Sequence, residues 1–437
     1  MADNTALLTD LYELTMLQSY FERGMNGPAV FDLFVRRLPT RRNYLVACGL
    51  DEVLRYLETL HFSDESLTYL RSIGKFSDSF LEHLRRFRFT GDVYAVPEGS
   101  IVFANEPIVE IVAPLPEAQL VESYVMNQIH LQTLAASKAA RIVTAATGRG
   151  VVDFGLRRAH GSDAAIKAAR AFHIVGVQAT SNVLAGMTYG IPVAGTMAHS
   201  YIQSHDNELN AFASFLETYP STIVLVDTYD TLEGVRHVVE LKKRLGSRFQ
   251  VQGVRIDSGD LLESSRQTRT ILDAAGLANV QIVASNSLDE YSIAQLVAAK
   301  APIDSFGVGV HMSVSSDAPY LDTAYKLVEY DGRPKMKLSA DKLNLPGRKQ
   351  VFRQPCRDVI GLHNEVIEGE RRLVKVMANG RRTEPAKDAM LKARANFQSE
   401  LEKIPPHLLG LNEASPPYPV EISPALAALT AAAKAGK

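Results

Sequence analysis

What this sequence lacks is a net field of either sign, a set of pairable cysteines and any long apolar run. Lys and Arg number 47 against 49 Asp and Glu, a net charge of -2 over 437 residues. Such balance gives no global attraction for nucleic acid or an anionic membrane, so any anion site must be built locally. No apolar stretch approaches the ~20 residues needed to span a bilayer; VVDFG and TIVLVD are short and broken by charge. The N-terminal MADNTALLTDLYELTML has acidic residues where a secretory leader would carry basic ones, and a cytoplasmic location is expected. Cys48 and Cys356 stand far apart in the chain and are expected to remain thiols without disulfide, metal or catalytic work. The chain also lacks a GxxxxGK loop followed by Ser or Thr, a HExxH and a CxxC. Neither a P-loop for ATP nor a common zinc motif can therefore be read from it. It shows no internal repeat.

What is there is an alternation. From about Val151 onward, short β-rich runs are followed by longer Ala- and Leu-rich segments, the pattern of strands and helices around a parallel sheet. The expected strands are VVDFG (151–155), PVAGT (192–196), TIVLVDT (222–228), GVRIDS (253–258), QIVAS (281–285) and SFGVG (305–309). Each ends in Gly, Ser, Thr or Asp, and ligands of parallel α/β folds sit at those carboxyl ends. Periodicity leaves a closed barrel and an open doubly wound sheet equally open. The first stretch differs: TALLTDLYELTMLQSYF predicts a helix, and FDLFVRR, DVYAV and IVFANEPIVEIVAP predict strands of a separate α+β unit. After Tyr320 the strand-like AYKLVEY, a Lys-rich segment and a Pro-containing polar stretch lead to an Ala-rich terminal helix, and the two ends of the chain are expected to form one discontinuous domain.

Several residues at these strand ends carry possible chemistry. In DSGDLLE (257–263), Asp260 and Glu263 have the spacing of a reciprocal helix cap, while Asp257 and Ser258 before it could hold sugar hydroxyls or a magnesium-bound diphosphate. His199 follows PVAGT in GTMAHS, and composition makes His205 equally eligible. Arg157 and Arg158 in DFGLRRAHG have the fork that fits carboxylate or phosphate, or they form surface ion pairs. Arg255 lies in the apolar strand VRID, where a guanidinium needs an anionic partner or a path to water. Gly307 and Gly309 in FGVGVHMSV could let backbone N–H groups converge on phosphate oxygens. Together these residues suit a small anionic, phosphorylated substrate.

LLTDLYELTM (7–16), DFGLRRAHG (153–161), GTMAHS (195–200) and GVRIDSGDL (253–261) closely resemble the nicotinate phosphoribosyltransferase family, in order as well as in spacing. The resemblance continues through FGVGVHMS, YKLVEY, KMKLS, LPGRKQVFR and YPVEIS and so covers nearly the whole chain. It implies an α/β fold: a funnel-like, irregular (β/α) barrel with a second, discontinuous α+β domain. The expected partition is residues 1–135 for the N-terminal α+β domain, 136–320 for the barrel with the phosphoribosyl and nicotinate site, and 321–437 for a region packing back on the N-terminal domain. The resemblance further implies a homodimer with shared active sites. Its reaction joins nicotinate to phosphoribosyl diphosphate, giving nicotinate mononucleotide and diphosphate in NAD salvage, with Mg²⁺ and with ATP as co-substrate acting through a phosphorylated histidine.

By motif match the histidine is His199, and Tyr12, Thr196 and Arg255 occupy the nicotinate positions: a ring to stack, a hydroxyl and a guanidinium for the carboxylate. Because Tyr12 belongs to the smaller domain, its role requires the dimer. The family's phosphate turn falls on Gly307, Gly309 and Val310, where many relatives carry threonine at the last position; backbone donors survive that change and the hydroxyl does not. Arg157 and Asp257 are expected to hold phosphate and ribose, and no metal ligand set is assigned. The competing readings are a nicotinamide-specific relative, a quinolinate enzyme needing no ATP, and a mononucleotide-binding sensor without turnover.

Overall fold

The alternation between Val151 and Gly309 folds into a six-stranded parallel sheet that curls into a half-barrel. Its order is Ala179–Thr180, Gly150–Asp153, Ser305–Val308, Gln281–Ala284, Gly253–Ile256 and Ile223–Leu225, every ladder parallel. The computed structural model describes residues 2–339, 344–384 and 388–436. One compact unit is Lys138–Pro319; the other takes the chain up to Ser137 and again from Tyr320.

Five of the six expected runs form strands here. The exception is PVAGT, of which only Val193 bridges to Thr180. Pro192 has no N–H to give a ladder, and it contributes its carbonyl to Thr180 N instead. The two-residue strand Ala179–Thr180 was too short to stand out as a pattern. Helices return between the strands and begin on side-chain caps that sequence chemistry favours: Asn182 accepts from Ala185 N, Asp230 from Glu233 N, and Asp260 from Leu262 N and Glu263 N. The reciprocal half expected of Glu263 is not made, because its carboxylate accepts from Gln267 one turn on. A reciprocal cap does form at Asp289 and Ser292.

The other unit is built on a seven-stranded sheet in which Pro28–Val35 lies between Thr323–Tyr330 and Pro107–Pro114, antiparallel to both. The pairing with Thr323–Tyr330 ties the two ends of the chain into one discontinuous layer. IVFANEPIVEIVAP splits into Ile101–Val102 and Pro107–Pro114, with Asn105 between them in the left-handed region at φ 67°. The predicted N-terminal helix also divides: a 3₁₀ segment, Ala2–Leu7, precedes the α-helix Leu11–Glu22. Asp10 is extended there and makes no cap bond; its carboxylate accepts from Ser123 Oγ. The buried apolar faces of this helix, of Leu50–Thr59 and of the sheet meet in one core. A smaller sheet, Glu370–Arg371, Lys349–Gln354, Arg357–Leu362 and Val420–Ile422, stands beside the terminal helix Pro424–Ala435; Lys437 lies outside the described residues, as does part of the Lys-rich segment, 340–343. Among the described residues no helix is long and apolar enough to cross a membrane. Neither Cys48, which is buried, nor Cys356, which is exposed, is in a disulfide.

Candidate active site

At the carboxyl ends of the parallel strands lies a cavity of about 480 Å³, lined by Arg157, Thr196, Arg255, Asp257, Gly307, Gly309 and Val310. Arg255 organises it. The strand Gly253–Ile256 is flanked by ladders on both sides, and Arg255 is its one position that is not fully buried. Its Nε donates to Ser285 Oγ at 2.7 Å, Nη1 to Thr196 Oγ1 at 3.0 Å and Nη2 to Asp257 Oδ1 at 2.9 Å. A guanidinium has five N–H donors, so one on each terminal nitrogen remains for a ligand. The guanidinium carbon lies 5.2 Å from the centre of the Phe154 ring, within the range of a cation–π contact.

Gly307 makes that stacking possible, since a Cβ there would run into the Phe154 ring and press on Ser285. Its missing side chain thus serves ring packing inside the cavity wall. Gly309 precedes a short helical turn, Val310–Ser313, and a Cβ there would make only ordinary contacts. Val310 is 37% exposed. Gly155, next to Phe154, is required in its turn because a Cβ would collide with Ser313 Oγ. Asp153 anchors the same loop: it accepts from Gly155 N at 2.8 Å and Thr180 Oγ1 at 2.7 Å, while burial pushes its carboxyl above the usual range.

A second carboxylate, Asp227, follows the neighbouring strand. Its Oδ2 accepts from Asp257 N at 2.9 Å and from Ser258 Oγ at 2.5 Å, and its buried Oδ1 has no hydrogen-bond partner. His199 begins the short helix His199–Gln203. Its Nδ1 is hydrogen-bonded to Thr228 Oγ1 at 3.1 Å, and Nε2 lies 3.7 Å from Asp257 Oδ2. The imidazole is thereby held between a hydroxyl and the carboxylate that also pairs with Arg255.

His205 is not part of this group: its Nδ1 bonds the Tyr201 carbonyl at 2.8 Å and its ring tilts against Tyr201. Arg157 and Arg158 lie exposed in a 3₁₀ turn that follows Phe154. Tyr12 is not among the lining residues; it sits in the other unit, 46% exposed, with burial and Glu122 and Glu13 pushing its hydroxyl upward in pKa. Sequence reasoning had not singled out Phe154, Asp227, Thr228 and Ser285. Asp227 and Thr228 carried a signal, since they end TIVLVDT as polar residues after an apolar run. Phe154 and Ser285 became visible only when the fold placed them around Arg255.

Comparison with known proteins agrees with the motifs. The nicotinate phosphoribosyltransferase N-terminal domain matches residues 7–130, and the nicotinate phosphoribosyltransferase family matches residues 150–359. The nicotinate phosphoribosyltransferase pncB2 of Mycobacterium tuberculosis is 53% identical over 423 residues, 96% of this chain and 91% of that protein. The Bacillus subtilis nicotinate phosphoribosyltransferase is 42% identical over 386 residues, 85% and 79% of the two chains. The crystal structure of human nicotinic acid phosphoribosyltransferase superposes with a TM-score of 0.86 at 28% identity, covering 97% of this chain and 99% of its own. On motifs, fold and these matches alike, the chain belongs to the nicotinate phosphoribosyltransferase family.

Proposed function

We propose that this enzyme transfers the phosphoribosyl group of 5-phospho-α-D-ribose 1-diphosphate to nicotinate, releasing nicotinate mononucleotide and diphosphate in NAD biosynthesis. The observation that carries the reading is Arg255, fixed by three hydrogen bonds over the Phe154 ring with one N–H left on each terminal nitrogen. Those two donors suit a pyridine carboxylate. They disfavour nicotinamide, whose NH₂ would present donors to donors. Thr196 steadies one end of the fork, and Phe154 offers a flat apolar surface to the pyridine ring.

C–N bond formation builds positive charge on the ribose as diphosphate leaves, so catalysis consists mainly of positioning and of stabilising the leaving group. Arg157 and the backbone turn at Gly307, Gly309 and Val310 are the groups assigned to phosphate, and Asp257 to the ribose side. Mg²⁺ would be held by Asp227 and Asp257: the orphaned, buried Oδ1 of Asp227 is an oxygen donor of the kind this ion prefers. The ion would supply charge neutralisation for the diphosphate. Among the described residues no three His, Cys, Asp or Glu form a metal cage, which suits an ion delivered with the diphosphate. ATP acts through phosphorylation of His199, adding negative charge beside Asp257 and reordering basic groups around the substrate. Tyr12, exposed on the other unit, is available to the cavity of a second copy in a cytoplasmic homodimer.

The test measures diphosphate and mononucleotide release from nicotinate and phosphoribosyl diphosphate with Mg²⁺, with and without ATP, in wild type and His199→Ala. Turnover with ATP stimulation lost in the variant supports the reading. Exclusive use of nicotinamide, or binding of mononucleotide without turnover, overturns it.

A further inference from the structure

The unit that holds both chain ends contains a second cavity, of about 320 Å³, which the transfer reaction leaves unused. Its walls are apolar: Phe34, Pro107, Ile360 and Val420. Its polar lining includes Asp32, Lys349 and Asn344, all buried. Asp32 projects from the strand Pro28–Val35 and is 1% exposed. One carboxylate oxygen, Oδ2, lies 2.7 Å from Lys349 Nζ in an ion pair, and neither Oδ1 nor Oδ2 accepts a hydrogen bond. Lys349 Nζ also donates to the carbonyls of Leu345 at 2.8 Å and Gly347 at 2.6 Å. Two of the three protons of the ammonium are thus committed to carbonyls, and its charge is paired with Asp32.

Asn344 is 5% exposed, and its Oδ1 accepts from Lys337 N at 2.8 Å. That bond fixes which way the amide faces and leaves Nδ2 as its free end. Nδ2 has no partner. A buried polar atom without a partner is costly to keep, and this cavity has an unmatched carboxylate and one unmatched donor against apolar walls.

We propose that this cavity is a binding site for a small neutral molecule with an apolar body and a carboxamide head. The amide N–H of such a ligand would be accepted by Asp32 Oδ1, and its carbonyl would accept from Asn344 Nδ2. A carboxylate is disfavoured at this end of the cavity, because it brings only acceptors and a second negative charge to Asp32. A primary ammonium does not fit either, since it brings no acceptor to Asn344. The volume lies at the lower end of small-molecule pockets, enough for one six-membered ring and its head group.

The experiment is calorimetric titration of the full chain with benzamide, with nicotinate at saturation so that the Arg255 cavity is blocked. Saturable binding is expected, with benzoate and toluene each at least tenfold weaker. Asn344→Asp keeps the acceptor for Lys337 N and turns the free donor into an acceptor, and it should weaken benzamide at least tenfold without altering nicotinate binding. Val420→Phe, which narrows the apolar wall and leaves both polar groups in place, should do the same. The proposal is overturned if benzamide does not saturate, which would mean that water alone occupies the cavity. It is equally overturned if benzoate binds as well as benzamide, or if both variants bind like wild type.

Discussion

The ring of Phe154 and the missing side chain of Gly307 are two halves of one arrangement: the glycine leaves the space that the ring fills, and the ring supports the Arg255 guanidinium at 5.2 Å. A methyl group at residue 307 must therefore displace Phe154, Ser285 or both. Overpacking of this kind costs roughly 1–3 kcal/mol, and here the cost falls on the cavity wall. Gly307→Ala is expected to raise the KM for nicotinate by about tenfold or more while leaving the KM for phosphoribosyl diphosphate within about threefold. Steady-state kinetics with each substrate varied decides it; equal changes in both constants would remove Phe154 from the nicotinate site.

Arg255 offers a second test, because Lys keeps the charge and loses the fork. Three protein hydrogen bonds radiate from the guanidinium, and an ammonium cannot reproduce their planar geometry while serving a carboxylate. Arg255→Lys should lower kcat/KM for nicotinate by about 10²–10³, the loss of roughly 3–4 kcal/mol of charge-assisted bonding in the transition state. A variant within threefold of wild type would mean that charge alone suffices.

How far these residues were legible in the sequence differs from one to another. Arg255 stood out because a guanidinium in an apolar strand demands an explanation, and His199 because it follows a strand-like run, whereas Thr196 was legible only through the family motif that contains it. Gly307 was noticed as a glycine for phosphate binding, and the structure adds a packing task that depends on Phe154, about 150 residues away in sequence. Ser285 and Asp227 likewise acquire their meaning from parallel neighbours, Ser285 from the strand carrying Arg255 and Asp227 from the same strand on its other side. Strand adjacency is not encoded in a one-dimensional alternation. PVAGT failed as a strand because Pro192 removes a ladder donor, a rule that could have been applied to the sequence directly.

Thr228 sets the orientation of His199 through Nδ1, which directs Nε2 toward Asp257. Thr228→Val removes the hydroxyl at nearly constant volume. If ATP acts through His199, this variant should lose most of its ATP stimulation, about fivefold or more, while ATP-independent turnover stays within about twofold, corresponding to a hydrogen bond of roughly 1 kcal/mol. Full ATP stimulation in the variant would show that the Thr228 contact does not position the histidine for phosphorylation.

Glu13 gives a prediction about pH and stability. It is buried on the helix Leu11–Glu22, and burial raises its carboxyl from 4.5 to about 7, against hydrogen bonds from Thr9 and Ser123 and with Glu122 adding to the rise. The folded state therefore keeps this proton at pH values where the unfolded chain has released it. In that window the native state binds more protons than the unfolded state, so stability falls as pH rises. The contribution is fully present below about 4.5, declines through the interval and is gone above about 7. Glu110, also raised to about 7 by burial and by Asp32, acts in the same direction, so the wild-type slope alone does not isolate Glu13. Glu13→Gln does, because its side chain stays neutral throughout. Urea unfolding at pH 5 and pH 8 should show the variant gaining on wild type by on the order of 1–3 kcal/mol between the two. A difference that stays constant across that range would mean that Glu13 titrates near its ordinary value in the folded protein.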